Sequence, residues 1–228
     1  MTQQNADPVR IEEALSRLRE ITAGLGPDHE DTLSARMALG QAYKESGDLL
    51  NAKEEFGVVA AVRSRLQARG FDVFEAYYSL GIAMKGLGDY QGATDQLRVA
   101  LASLDIKSEP GAALRCTAWL VYSMNKVDRK AEIAAVMAAV VNDRLNMPVS
   151  ADLPPTALHL YYLARQLQLR TEFSVASQLF SRVTRTCIRT RSHPWLLFRS
   201  FFWNLIVARP GRWAGNQDPR RHLPSSEG

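Results

Sequence analysis

Two stretches of the chain, LGQAYKESGDLLNAKEEFGVV from Leu39 and LGIAMKGLGDYQGATDQLRVA from Leu80, align without a gap. Leu39 falls on Leu80, Gly40 on Gly81, Gly47 on Gly88, Asp48 on Asp89 and Ala52 on Ala93, each 41 residues apart. A recurring unit of this length constrains the fold more than composition does, because one such unit cannot bury its own apolar face and must stack on the next. Moving on by 41 and then 42 reaches Ala134 and Ala176, while Phe56 and Leu97 are followed by Ala138 and Phe180. Stepping back by 41 sets Ile11, Leu15 and Leu18 at the positions of Ala52, Phe56 and Val59, so the opening helix reads as the second half of a truncated unit.

Within each unit the apolar residues recur at three and four, as in RIEEALSRLREI and AALRCTAWLVYSM, and no sustained alternation suggests a strand. The class is therefore all-α. Gly40 and Ala52 lack bulk, which lets two antiparallel helices approach closely. Gly47 and Gly88 stand where a first helix must stop in a left-handed residue, and Asp48 and Asp89 where a second must be capped. With 46% apolar residues in 228, the chain has enough material for a sizeable core.

The small-large pattern LG…Y…G…A…F resembles the tetratricopeptide repeat, and the 41 to 42 residue period with GPDHEDTL resembles the long variety found in kinesin light chains and bacterial relatives. The resemblance is strong over residues 32 to 105. The third unit (Val121, Tyr122, Ala134, Ala138) loses the glycine turn, and the fourth (Leu163, Ala164, Ala176, Phe180) keeps most of the core pattern. It implies a right-handed α-solenoid of about four helix pairs over residues 9–190, flanked by a disordered stretch 1–8, an apolar capping helix 191–208 and a disordered basic tail 209–228. It also implies a non-catalytic module that holds a protein or peptide partner in a concave groove lined by the first helix of each unit, and the polar, charged start MTQQNADPVRIEEALSRLRE, without an apolar signal segment, leads us to expect a cytoplasmic protein.

The 41-residue register places Met37, Gln41 and Lys44 on that groove, followed by Tyr78, Ile82 and Lys85, then Trp119, Ser123 and Lys126, and finally Tyr161, Arg165 and Gln168. Lys44, Lys85 and Lys126 then form a basic ladder interleaved with aromatic rings, suited to a peptide carrying acidic and apolar residues. Paired asparagines that commonly clamp a peptide backbone in kinesin light chains are missing, since Met37-Ala38 and Tyr78-Ser79 occupy those positions.

The run Asp28, His29, Glu30, Asp31 contains four groups able to bind metal or move protons, but adjacent residues in a turn diverge, and no second His or Cys stands at metal-ligand spacing nearby. It reads as a connector: Gly24, Gly26 and Pro27 end one helix, and Asp31 or Thr32 caps the next. No catalytic residue, metal or cofactor is expected. Cys116 and Cys187 read as reduced, buried side chains.

Charge is uneven. Residues 182 to 228 carry nine arginines against Asp218 and Glu227, a net +7, which leaves the first 181 residues at −3. The same end holds the apolar segment HPWLLFRSFFWNLIV, too short to span a bilayer and interrupted by Arg199. It is expected to cap the solenoid; the alternatives are a docking helix and an anchor lying on an anionic membrane surface. The alternative function is a peripheral membrane or nucleic-acid binder acting through this arginine and aromatic segment, nucleic acid being the less expected partner because the basic charge is confined to this end.

Overall fold

A computed structural model describes residues 8–66, 70–146, 154–170 and 172–207. The expected disordered ends, 1–8 and 209–228, lie outside the described residues apart from Pro8, which opens a helix. Ten helices follow one another and no strand occurs among the described residues: α1 Pro8–Leu25, α2 Glu30–Ser46, α3 Leu49–Arg65, α4 Phe71–Gly86, α5 Tyr90–Ser103, α6 Pro110–Lys126, α7 Lys130–Asn146, α8 Pro154–Leu169, α9 Phe173–Thr190 and α10 Pro194–Val207. The chain divides into two compact units, one running to Asp143 and the other from Arg144.

In the first unit each helix packs on its successor from α1 to α6, and α4 also touches α6. The small residues decide how close these helices come. A Cβ added at Gly40 would lie 2.6 Å from the fully buried Phe56 ring, and one at Gly81 would lie 2.8 Å from Leu97. Phe56, Val59, Ala52, Leu33 and Ala76 form one core cluster, while Leu18, Ala35 and Leu39 join α1 to α2. In the second unit α8 packs on α9, α9 on α10, and α10 touches α8.

The turns between helices share one backbone device. Asp48 N–H donates to the Tyr43 carbonyl, Asp89 to Met84, Arg129 to Met124 and Glu172 to Leu167, each reaching five residues back over the helix end. Gly47 and Gly88 supply the left-handed residue at φ 87° and 85°. The Asp48 and Asp89 carboxylates then cap α3 and α5 by accepting from Asn51 and Gly92 N–H. The third unit keeps this geometry without glycine, because Asp128 takes the left-handed conformation at φ 58°. Aspartate tolerates that region better than most residues.

The connector GPDHEDT is held at both ends. His29, rather than Asp31 or Thr32, caps α2: its Nδ1 accepts from the Asp31 N–H at 3.2 Å. The buried Thr32 hydroxyl instead reaches back to the Gly26 carbonyl at 2.7 Å. Asp28 pairs with Arg65, and Glu30 with the buried Arg63, both at 2.6 Å. Four apparent metal ligands are thus one helix cap and its fastenings to the end of α3.

Candidate functional site

The first helices α2, α4 and α6 present one face within the first unit, and their side chains are linked across it. Glu75 on α4 pairs with Arg115 on α6 at 3.3 Å, and the Arg115 guanidinium lies 4.9 Å from the centre of the Tyr78 ring. Tyr78 stacks on Phe74 at 5.4 Å. Burial pushes its phenol up to about 12 against the opposing pull of Arg115. The Lys85 ammonium sits 3.8 Å over the Trp119 ring, a cation–π distance, and Trp119 meets Tyr122 edge to face at 5.9 Å.

The five-residue turn bond gives a structural ruler for comparing units. Measured from it, Lys44 and Lys85 occupy the same station, as do Gln41 and Ile82, and Met37 and Tyr78. The turn after α6 comes one residue early, with Asp128 only 40 beyond Gly88. The third unit therefore places Ala118, Tyr122 and Asn125 at the three stations, not Trp119, Ser123 and Lys126. Burial agrees at the second station, where Ser123 is fully buried with its hydroxyl unpartnered and Tyr122 is half-buried, but not at the first, where Ala118 is buried and Trp119 half-buried. One residue is 100° of helix, enough to turn a groove position into the core. Trp119 still reaches the face by leaning toward Lys85, and Lys126 stands exposed with its ammonium 5.7 Å from the Tyr122 ring. The repeated basic ladder is thus Lys44 and Lys85, with Lys126 beside it rather than on it.

In the second unit the same ruler returns Tyr161, Arg165 and Gln168 to the three stations. Tyr161 is buried with its hydroxyl unpartnered and meets Trp195 of α10 at 6.5 Å. Arg165 donates to Gln168 and lies 3.8 Å over the Trp203 ring. Burial lowers the Arg165 pKa from its ordinary value.

The cations of the first unit fall into two kinds. Arg36 pairs with Glu55 at 2.8 Å, Arg98 with Glu132, and Arg129 with Glu132 at 2.7 Å. Among the described residues, Lys44, Lys85 and Lys126 have no carboxylate within ion-pair distance. Lys44 and Lys85 are half-buried, and desolvation lowers the pKa of both below the usual lysine value. Position in the repeat reveals Lys44 and Lys85 from sequence alone. The Glu75–Arg115 pair and the role of Tyr122 carry no such signal, although aspartate's tolerance of the left-handed turn would have allowed the third unit to be counted from Asp128.

Neither cysteine takes part in this face. Both are free and buried, and burial pushes the Cys116 thiol up to about 12, leaving it unreactive near neutrality. Among the described residues no three His, Cys, Asp or Glu side chains converge as metal ligands, and no helix is long and apolar enough to cross a membrane.

No family model and no curated protein matches the chain in sequence. Solved structures do match. A Podosopora anserina protein described as a candidate kinesin light chain, with nearly identical TPR-like repeats, superposes at TM-score 0.61 and 18% identity, covering 80% of this chain and 88% of that one. A single-substitution variant of that protein gives TM-score 0.62 at 18% identity, covering 79% and 86%. The chain has the TPR-like α-solenoid fold, all helical and built of consecutive helix pairs.

Proposed function

We propose that the protein is a non-catalytic protein–protein interaction module whose first-helix face binds a partner segment carrying acidic and apolar residues. The observation that carries this reading is the pair of half-buried lysines, Lys44 and Lys85, at one repeat station without a carboxylate partner among the described residues. Both ammonium groups are partly desolvated and lack an ion pair: Glu45 and Glu75 act on Lys44 only from beyond ion-pair distance, and Lys85 rests on the Trp119 ring. A ligand carboxylate arriving there gains a charge-assisted hydrogen bond without breaking an internal one. The rings of Trp119 and Tyr122 border Lys85, that of Tyr78 borders Arg115, and together they offer flat apolar surface for the residues between the acids. With no asparagine clamp, selection rests on side chains rather than on the peptide backbone.

The test is selection of a random peptide library on the full-length chain. Enriched peptides should carry Asp or Glu flanked by aliphatic or aromatic residues. Lys44→Glu with Lys85→Glu should weaken them at least tenfold, about 1.4 kcal/mol, and basic-for-acidic peptide swaps should restore binding to that double variant. Enrichment without acidic residues, or equal binding by a folded double variant, removes this face from the proposal.

A further inference from the structure

The two ends of the described chain are complementary halves of one repeat. Helix α1 carries its apolar residues at the positions of a second helix and packs on α2 as α3 packs on α4 and α5 on α6. In a complete unit, the seat between a second helix and the following first helix is filled, as α4 fills the seat bounded by α5 and α6. Beside α1 and α2 the corresponding seat is an open cleft of about 710 Å³, floored by Ala14, Ile21, Leu25, Ala35 and Ala38. At the other end, α10 packs on α9 and touches α8 just as α6 packs on α5 and touches α4, so α10 is a first-type helix. It buries Leu196 and Ser200, with the Ser200 hydroxyl 3.1 Å from that of Thr184. On its far side Phe198 and Phe201 remain 71% and 56% exposed, and Trp195, whose ring meets Tyr161 of α8, is 50% exposed beside them.

We infer that α10 of one molecule seats in the α1/α2 cleft of a second copy, joining the chains head to tail and completing one helix pair between them. Shape supports this occupant: small alanines line the cleft, and large rings stand on the open face of the helix. Charge supports it too. Residues 173–207 contain five arginines and no acidic residue, whereas residues 8–46 hold seven acidic residues against five basic, although at the cleft itself Arg10 and Arg17 offset Glu13 and Asp31. Such a contact is heterologous, so a pair keeps one free cleft and one free helix, and assembly continues beyond two.

Sedimentation velocity of the full-length chain tests this directly. The wild type should rise above the 25.4 kDa monomer as concentration increases, and added salt should weaken the association. Ala38→Arg blocks the cleft with an exposed basic side chain, and Phe198→Glu with Phe201→Glu blocks the helix; each variant alone should be monomeric with unchanged helical circular dichroism. Mixed one to one, they should form a dimer, because one supplies an intact helix and the other an intact cleft. If the phenylalanine pair loses helicity, Phe198→Lys serves as the blocked-helix arm. A wild type that stays monomeric at all concentrations overturns the proposal, whether its aromatic face is covered by residues 208–228 or floats on anionic vesicles. So does self-association that Ala38→Arg leaves intact, which would mean that α10 pairs with itself, and so does a mixture that stays monomeric.

Discussion

The second and third repeats end their first helices with the same backbone bond but reach it with different residues. In the second, Gly88 turns the chain and Gly81 lets the neighbouring helix come within contact of Leu97. In the third, Asp128 makes the turn, and the fully buried Val121 stands at the station of Gly81. The repeat therefore keeps a backbone path and a packed volume, while the residues that provide them are interchangeable only as sets.

Exchanging single residues between the two should break each in its own way. Val121→Gly empties a sealed core site and adds a helix-weakening glycine, and should lower stability in urea unfolding by about 3 kcal/mol. The converse, Gly81→Val, drives a Cβ to 2.8 Å from the fully buried Leu97 and should lower it by about 2 kcal/mol, since glycine's poor helix propensity offsets only part of the overlap. A smaller loss from Gly81→Val than from Gly81→Ala would show that the hairpin reopens rather than strains.

The first of the three stations separates the repeats by pH. Tyr78 occupies it in the second repeat and Ala118 in the third. The Tyr78 phenol holds its proton to about 12, whereas an unfolded chain releases it near its ordinary value of 10. Its contribution is therefore intact below pH 10 and is lost as pH rises through 12, a fall of roughly 2.7 kcal/mol. Tyr78→Phe should flatten the stability profile across that window, and ultraviolet titration of the folded protein should lose one late-ionising phenol in that variant, Tyr43 being raised as well.

The turn itself gives the smallest effect. Gly88 lies in open space, so a side chain there meets only the cost of the left-handed backbone. Gly88→Ala should cost about 1 kcal/mol, and Gly88→Asp, which copies the third repeat, should cost less. Equal costs in thermal unfolding would show that Asp128 relies on its surroundings rather than on aspartate's own tolerance.

The legibility of these features follows their range. The period, the helix pairs and the close approach at Gly40 and Gly81 are local patterns, and they were readable as such. The connector was readable as a connector, but His29 as the cap of α2 was not, because its alternatives Asp31 and Thr32 are the commoner cap residues. Nor were the ion pairs of Asp28 and Glu30 with Arg65 and Arg63, which depend on where α3 ends in space. The apolar segment of the C-terminal region was readable as a helix; that α10 takes the place of a first helix required its contacts with α9 and α8.

Sequence by itself determined that this chain stacks helix pairs of 41 to 42 residues, because side-chain spacing along a helix is written in the order of residues. Only the tertiary structure decided which residues of the third unit face its surface. A turn one residue shorter rotates a helix face by 100°, and that step sends Ser123 into the core, brings Tyr122 out, and leaves Lys44 and Lys85 as the paired station.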